Sequence, residues 1–97
     1  MYEFKFALES QLVEAEMTLH LAIFAAEGLF GQARVRLDAA YRLDEKRTLL
    51  VVDSSTEVGA IVARIFTGLL LRERGEDGFE VRVLQRESPA ETTQRAA

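Results

Sequence analysis

The helix predicted over residues 11–27 constrains this chain most, because it is apolar on more than one side. The segment contains no Gly or Pro and is rich in Leu, Ala, Glu and Met, which favour helix. One apolar stripe consists of Leu12, Ala15, Leu19, Ala22, Ile23 and Ala26. A second apolar set lies off that stripe and consists of Val13, Met17, Leu21 and Phe24. A surface helix of a small domain needs only one apolar stripe, so something beyond the sheet is expected to cover the second.

Length and composition limit what else the chain can be. Its 97 residues allow one domain with a small core. A hydrophobic fraction of 48% excludes a disordered chain, and the lack of Cys excludes disulfides. The net charge of −4 argues against a nucleic-acid partner, and no apolar run reaches the ~20 residues of a membrane span. With no signal-peptide pattern at the N-terminus, a cytoplasmic location and no membrane association are predicted.

Four segments alternate apolar and polar residues and are predicted as strands. Residues 2–8 and 79–83 each show the period of two that is typical of a half-buried strand. Residues 32–43 show six such alternations and predict a long strand. Residues 47–52 are apolar on both faces, as expected for a central strand, and the short polar link before them predicts an antiparallel hairpin.

A second helix is predicted after the third strand. Ser54 and Glu57 fit a capping box at its start, and apolar residues from 58 to 70 are spaced for one helical face. Gly75 follows as a C-terminal cap. Gly59 and Gly68 lie inside this helix, where glycine is unfavourable, so each is predicted to mark the close approach of another backbone.

The order strand, helix, strand, strand, helix, strand predicts an α+β fold. It is the order of the ferredoxin-like α/β plait, βαββαβ, with a four-stranded antiparallel sheet and two helices on one face. The predicted domain spans residues 1–85. Residues 86–97 have no apolar period and contain the only Pro, so they are predicted to be a disordered tail.

Two places carry residue types that are used in catalysis or ligand binding. His20 is the only histidine, and without Cys the sequence offers no zinc-ligand spacing, so no metal or cofactor is expected. Asp53, Ser54, Ser55 and Thr56 lie where a strand passes into a helix, and such a helix start can bind an anion through its backbone N–H groups. Because Ser and Asp also favour helix starts as caps, capping is the simpler interpretation and a ligand site is the alternative.

The stretch Val52-Asp53-Ser54-Ser55 resembles the phosphorylation site of anti-sigma-factor antagonists. The resemblance implies that Ser55 is the position that would be phosphorylated. That family has a glycine after the second serine, where this chain has Thr56, and its order of strands and helices differs from the order predicted here.

These features favour a non-catalytic protein-interaction or regulatory module that acts as a homodimer or in a hetero-complex. Its predicted interface residues are Val13, Met17, Leu21 and Phe24. The alternative interface is the apolar strip that the third strand gives to the helix-free face of the sheet. One alternative is a regulatory plait domain that senses a small ligand. The other is a dimeric plait enzyme, for which only His20, Asp53 and Tyr41 offer an acid or base. The fold class itself does not decide between them.

Overall fold

A computed structural model describes residues 1–84 of the chain. Its elements are β1 (Tyr2–Lys5), α1 (Glu9–Phe30), α2 (Gln32–Asp38), β2 (Tyr41–Asp44), β3 (Leu49–Val52), α3 (Glu57–Arg74) and β4 (Glu80–Val83), with a 3-10 turn at Glu76–Gly78. The predicted tail, residues 86–97, and the predicted domain boundary at residue 85 lie outside the described residues.

The strands form one four-stranded sheet in the order β2-β3-β1-β4, and every neighbouring pair is antiparallel. The first and third strands are therefore central, and β2 and β4 are the edges. β3 is buried along its whole length, which agrees with its run of Leu-Leu-Val-Val. Every residue of β4 is exposed, although its sequence alternates like that of a half-buried strand.

The prediction of a two-helix βαββαβ plait is wrong. The described residues contain three α-helices in the order β1-α1-α2-β2-β3-α3-β4. The long strand predicted over residues 32–43 is the source of the error. Its first half is the helix α2, and only Tyr41–Asp44 enters the sheet, as β2.

The residues of α2 favour helix more than their alternating pattern suggests. Gln, Ala, Arg and Leu all have high helix propensity, and Arg34 and Asp38 form an ion pair one helical turn apart, at 3.7 Å. Gly31, at φ 89°, separates α1 from α2 in a conformation that L-residues with side chains rarely adopt. Val35 alone of this helix enters the core, and Leu37 is 84% exposed. The apolar residues of this segment therefore do not share one buried face.

One apolar core lies between the sheet and the helices α1 and α3. Phe4 and Leu50 of the central strands, Leu19 of α1 and Phe66 of α3 are fully buried. The rings of Phe4 and Phe66 meet edge to face with 4.8 Å between their centroids, a favourable aromatic arrangement. Since both long helices pack on the side of Phe4 and Leu50, they cover the same face of the sheet.

The other face of the sheet, called the open face here, is covered by no helix among residues 1–84. Alternation from Phe4 and the strand register place two rows of side chains on it. One row runs across the sheet as Arg42, Val51, Glu3 and Arg82, and the next runs as Asp44, Leu49, Lys5 and Glu80. Leu49 and Val51 are nevertheless buried. Lys5, which is paired with Leu49, donates from its Nζ to the carbonyl oxygen of Arg47 at 2.7 Å.

Candidate protein interface

The second apolar set of α1 faces away from the core. The buried residues of this helix are Leu12, Ala15, Thr18, Leu19, Ala22 and Ala26. On the opposite side, Val13, Met17, Leu21 and Phe24 are each between 58% and 71% exposed. They form what is called here the outer stripe, along a helix of 22 residues, or ~33 Å. No described element covers this stripe, and its role as an interface stays a prediction.

Polar contacts to α3 fix the orientation of α1 and therefore of the outer stripe. Thr18 Oγ1 donates a hydrogen bond of 2.9 Å to Glu73 Oε1 of α3. Arg74 Nη2 lies 3.2 Å from Glu14 Oε1, and its guanidinium stacks over the ring of Phe6. These contacts join the beginning of α1 to the end of α3, so the two helices run antiparallel. The outer stripe therefore lies on the side of α1 that faces away from the core.

The flanks of the outer stripe are acidic. Every charged residue of α1 is a glutamate, at positions 9, 14, 16 and 27. Near the start of the helix, a depression of about 360 Å³ is lined by Glu9, Ser10, Leu12, Val13, Glu16, Leu43 and Glu45. Val13 of the stripe thus borders a surface with three carboxylates. The combination of apolar stripe and acidic flank favours a partner that is apolar and basic.

His20 and Tyr41, two of the candidate acids and bases, lie together in a hydrogen-bond network. Tyr41 Oη donates to Glu16 Oε2 at 2.9 Å and contacts His20 Nε2 at 2.9 Å. Burial, together with the hydrogen bond and the negative charge of Glu16, raises the pKa of Tyr41 to about 12. A phenol with so high a pKa is a poor base or nucleophile near neutral pH. The network links β2 to α1 and leaves the proposed enzymatic role without support from this site.

The raised pKa of Tyr41 predicts a loss of stability at alkaline pH. The folded state favours the neutral phenol, whereas the unfolded chain ionises near pH 10. The stabilisation is therefore fully present below pH 10 and is lost as the pH rises from 10 to about 12. Denaturant unfolding measured from pH 8 to 11.5 should show this decline. Tyr41→Phe, which has no titrating hydroxyl, should show a smaller decline, and identical curves for the two proteins would contradict the assignment.

Three of the four candidate ligand residues between β3 and α3, namely Asp53, Ser55 and Thr56, make hydrogen bonds within the chain. Thr56, not Ser54, is the N-cap of α3, and its Oγ1 accepts a 2.9 Å hydrogen bond from the Gly59 N–H. The same hydroxyl donates to the carbonyl oxygen of Asp38 at 3.0 Å. Asp53 Oδ1 accepts from the Ser55 N–H at 2.8 Å. The depression that includes Asp53 has about 150 Å³, smaller than the ~300–1,000 Å³ of small-molecule sites. Ligand binding at Asp53, Ser54, Ser55 and Thr56 stays a prediction, as does phosphorylation of Ser55.

The exposed edge of β4 is a surface feature that the sequence did not reveal. Val81 and Val83 lie on the helix-facing side of the sheet, as their alternation indicates, yet they are 40% and 64% exposed. The alternation assigns these residues to a face but not to an edge. Val81 and Val83 are exposed because β4 is the last strand of the sheet. This strand order depends on pairing between parts of the chain that are distant in sequence.

No protein-family model, curated protein or solved structure matches this chain. Within residues 1–84, no helix combines the length and the apolar character needed to cross a membrane. The same residues contain no group of three His, Asp or Glu side chains that could hold a metal ion.

Proposed function

We propose that the protein is a non-catalytic interaction module that binds a partner protein through the outer stripe of α1. The observation that supports this most directly is the side-by-side exposure of Val13, Met17, Leu21 and Phe24 on a helix whose other side is fully packed. Large contiguous apolar patches are uncommon on monomeric proteins and mark interaction surfaces. Covering the stripe would remove this apolar area from water, which is the main driving force of association.

The spacing within the stripe favours a helix as the occupant. Its members follow one another at intervals of four, four and three residues. Intervals of three and four are those of the seam between two packed helices, in which side chains of one helix fit between those of the other. The partner segment we propose is therefore an amphipathic helix.

The charges beside the stripe favour a basic partner over a second copy of the same helix. Since all charged residues of α1 are glutamates, two such helices packed on each other would bring like charges together. A helix with Lys or Arg beside its apolar residues would instead meet carboxylates such as Glu16 and Glu27. The module is thus proposed to bind an apolar helix edged with basic residues.

The substitution Phe24→Asp tests this proposal. The probe is a fluorescent synthetic helical peptide with Leu at the seam positions and Lys beside them, titrated with the full chain and followed by anisotropy. We expect Phe24→Asp to weaken binding at least tenfold, because a carboxylate would replace an apolar ring among the Leu side chains of the seam. A matched peptide with Glu in place of Lys should bind wild-type protein more weakly.

The control is Leu37→Asp, which makes the same kind of change at an exposed leucine on α2, away from the stripe. This variant should bind the Lys peptide like wild type. Equal loss of binding in both variants would indicate general apolar adhesion and contradict the proposal. The same conclusion would follow if wild-type protein bound neither peptide.

A further inference from the structure

The outer edge of β4 carries the features of a self-pairing strand. We propose that β4 pairs antiparallel with β4 of a second copy of this chain, with Val81 opposite Val81 at a two-fold axis, so that two sheets become one of eight strands. The proposal concerns a surface other than the outer stripe and is independent of the function proposed above. Backbone polarity, charge order and the exposed valines each support it.

The backbone groups of alternate β4 residues point toward the outer edge. Met1 and Leu84 exchange hydrogen bonds of 2.7 and 3.2 Å, so this is a hydrogen-bonded pair of the β1–β4 ladder. Such pairs alternate in an antiparallel ladder, so the backbone groups of Arg82 and Glu80 also point toward β1. The N–H and C=O groups of Phe79, Val81 and Val83 therefore point outward, where no described strand pairs with them. They suit a second antiparallel strand.

Charge selects one register among those that the backbone allows. With Val81 opposite Val81, Glu80 lies opposite Arg82 of the second copy, and the two-fold axis repeats this pair. Both are non-hydrogen-bonded pairs, in which cross-strand side chains are closest. The two neighbouring registers that keep the same hydrogen-bonding pattern are centred one residue away from Val81. One places Glu80 opposite Glu80 of the second copy, and the other places Arg82 opposite Arg82. Those registers are disfavoured by like-charge repulsion.

The same register continues a pattern of alternating charge across the open face. Arg82 already contacts Glu3 of its own chain at 3.1 Å, and Glu80 lies beside Lys5. Across the joined sheet, one row would read Arg42, Val51, Glu3, Arg82 and then, in the second copy, Glu80, Lys5, Leu49 and Asp44. Every charged side chain in this row has an opposite charge as its nearest charged neighbour. The pairing therefore adds contacts without breaking those within the chain.

The helix-facing side of β4 supplies the apolar part of the contact. Val81 is 40% and Val83 is 64% exposed there, although neighbouring positions of the sheet are buried. In the proposed register Val81 packs against Val81 of the second copy. Val83 lies opposite Phe79 of the second copy, whose ring is mostly buried in its own core. Residues 79–84 contain neither the Pro nor the Lys that commonly protects an edge strand. β4 is short, at four residues, and its two charged side chains are the ones that the proposed register pairs.

The opposite edge, β2, also carries two opposite charges two residues apart, Arg42 and Asp44, but is less suited to pairing. Arg47 already occupies both oxygens of the Asp44 carboxylate, by its backbone N–H at 3.2 Å and its Nε at 3.0 Å. Tyr41 and Leu43 on the helix side of β2 are half-buried and pack on the core. The exposed apolar area therefore lies at β4.

Single cysteines in this Cys-free chain test the register. In the proposed dimer the Cα atoms of the two Val81 residues are ~5.5 Å apart, within disulfide range. The two Val83 residues are offset by four positions, or ~13 Å, beyond that range. Under mild oxidation Val81→Cys should form a covalent dimer and Val83→Cys should not. Exposure alone would favour Val83, so the opposite preference, or preferred cross-linking of Leu43→Cys at β2, would overturn the proposal.

Charge reversal tests the same register by another route. We expect Glu80→Arg and Arg82→Glu each to raise the dimer dissociation constant at least tenfold in analytical ultracentrifugation of the full chain, because each variant alone would place like charges opposite each other. In a mixed dimer, the Glu80→Arg chain contributes two arginines and the Arg82→Glu chain contributes two glutamates, so both cross-strand pairs again join opposite charges. The mixture should therefore recover a species of twice the 10.9 kDa chain mass.

A wild-type chain that stays at 10.9 kDa up to millimolar concentration would overturn the pairing, as would a dimer that neither charge variant weakens. Phe24→Asp separates this proposal from the proposed function. If β4 forms the dimer, the Phe24→Asp protein should no longer bind the basic helical peptide but should still dimerise like wild type. A dimer that Phe24→Asp dissociates and Arg82→Glu does not would place self-association on α1 and contradict the β4 pairing.

Discussion

Gly59→Ala is expected to destabilise the protein by about 2–3 kcal/mol, whereas Gly68→Ala on the same helix is expected to stabilise it by about 1 kcal/mol. A Cβ at residue 59 would overlap the carbonyl oxygen of Asp53, and a backbone atom cannot move aside like a flexible side chain. At Gly68 nothing lies within 4 Å of the added carbon. Only the higher helix propensity of alanine then changes the free energy of unfolding.

Urea unfolding followed by circular dichroism measures both effects under identical conditions. The two variants differ from wild type by the same methyl group on the same helix, so the opposite signs isolate the close approach of the β3–α3 loop. The free energy of unfolding should fall in one variant and rise in the other. A fall of similar size in both would show that the Asp53 carbonyl does not limit the space at residue 59.

Phe66→Ala is expected to reduce the free energy of unfolding by about 3–5 kcal/mol. Phe66 is fully buried and contacts Phe4 of the central strand, so truncation removes apolar contacts and leaves a cavity between α3 and the sheet. Native domains are stable by only ~5–15 kcal/mol, and a small domain lies near the lower end. A large part of the chain population is therefore expected to be unfolded at 37 °C.

Phe24→Ala is the matched control for this prediction. The side chain of Phe24 is 71% exposed, so its removal should change the stability of the monomer by less than ~0.5 kcal/mol. The same variant should weaken binding of the basic helical peptide. Equal destabilisation by the two substitutions, measured at low micromolar concentration, would contradict the assignment of Phe24 to the exposed side of α1.

The two glycines of α3 show how far sequence reasoning reaches. Both were expected to mark a close approach of another backbone, and only Gly59 does so. Position 59 follows a loop that turns back over the helix start, whereas Gly68 faces open space in the exposed middle of the helix. A glycine in a helix shows that a side chain is dispensable there, but only the tertiary arrangement shows whether a side chain is forbidden.

The alternation in residues 32–43 predicts a single strand, but it does not report the high helix propensity of the first half of the segment. Val35, Leu37 and Tyr41 alternate with arginines, but alternation over so few residues does not exclude a helix that buries only Val35. Gly31 ends α1 and directly precedes a second helix, not a strand. By contrast, the outer stripe of α1 was predicted to lie off the main apolar stripe, because helical periodicity over 17 residues separates two faces clearly.

For the candidate interface, too, some features could be predicted from the sequence and others could not. Exposure of Val13, Met17, Leu21 and Phe24 follows from local periodicity once one face of α1 is assigned to the core. The contact of His20 and Tyr41 with Glu16, and the edge position of β4, depend on strand order and on how α1 lies across the sheet. Long-range pairing of this kind has no signal in a single sequence.

The placement of both long helices on one face of the sheet has a consequence for valency. A two-fold axis at Val81 stands perpendicular to the joined sheet, so it keeps the helices of both copies on the same side. Two outer stripes would then face one direction. A target with two basic helices on a suitable linker could engage both, and the second contact would form at an effective concentration near the millimolar range. Individually weak contacts would thereby combine into tight binding, and dilution below the dimer dissociation constant would release the target.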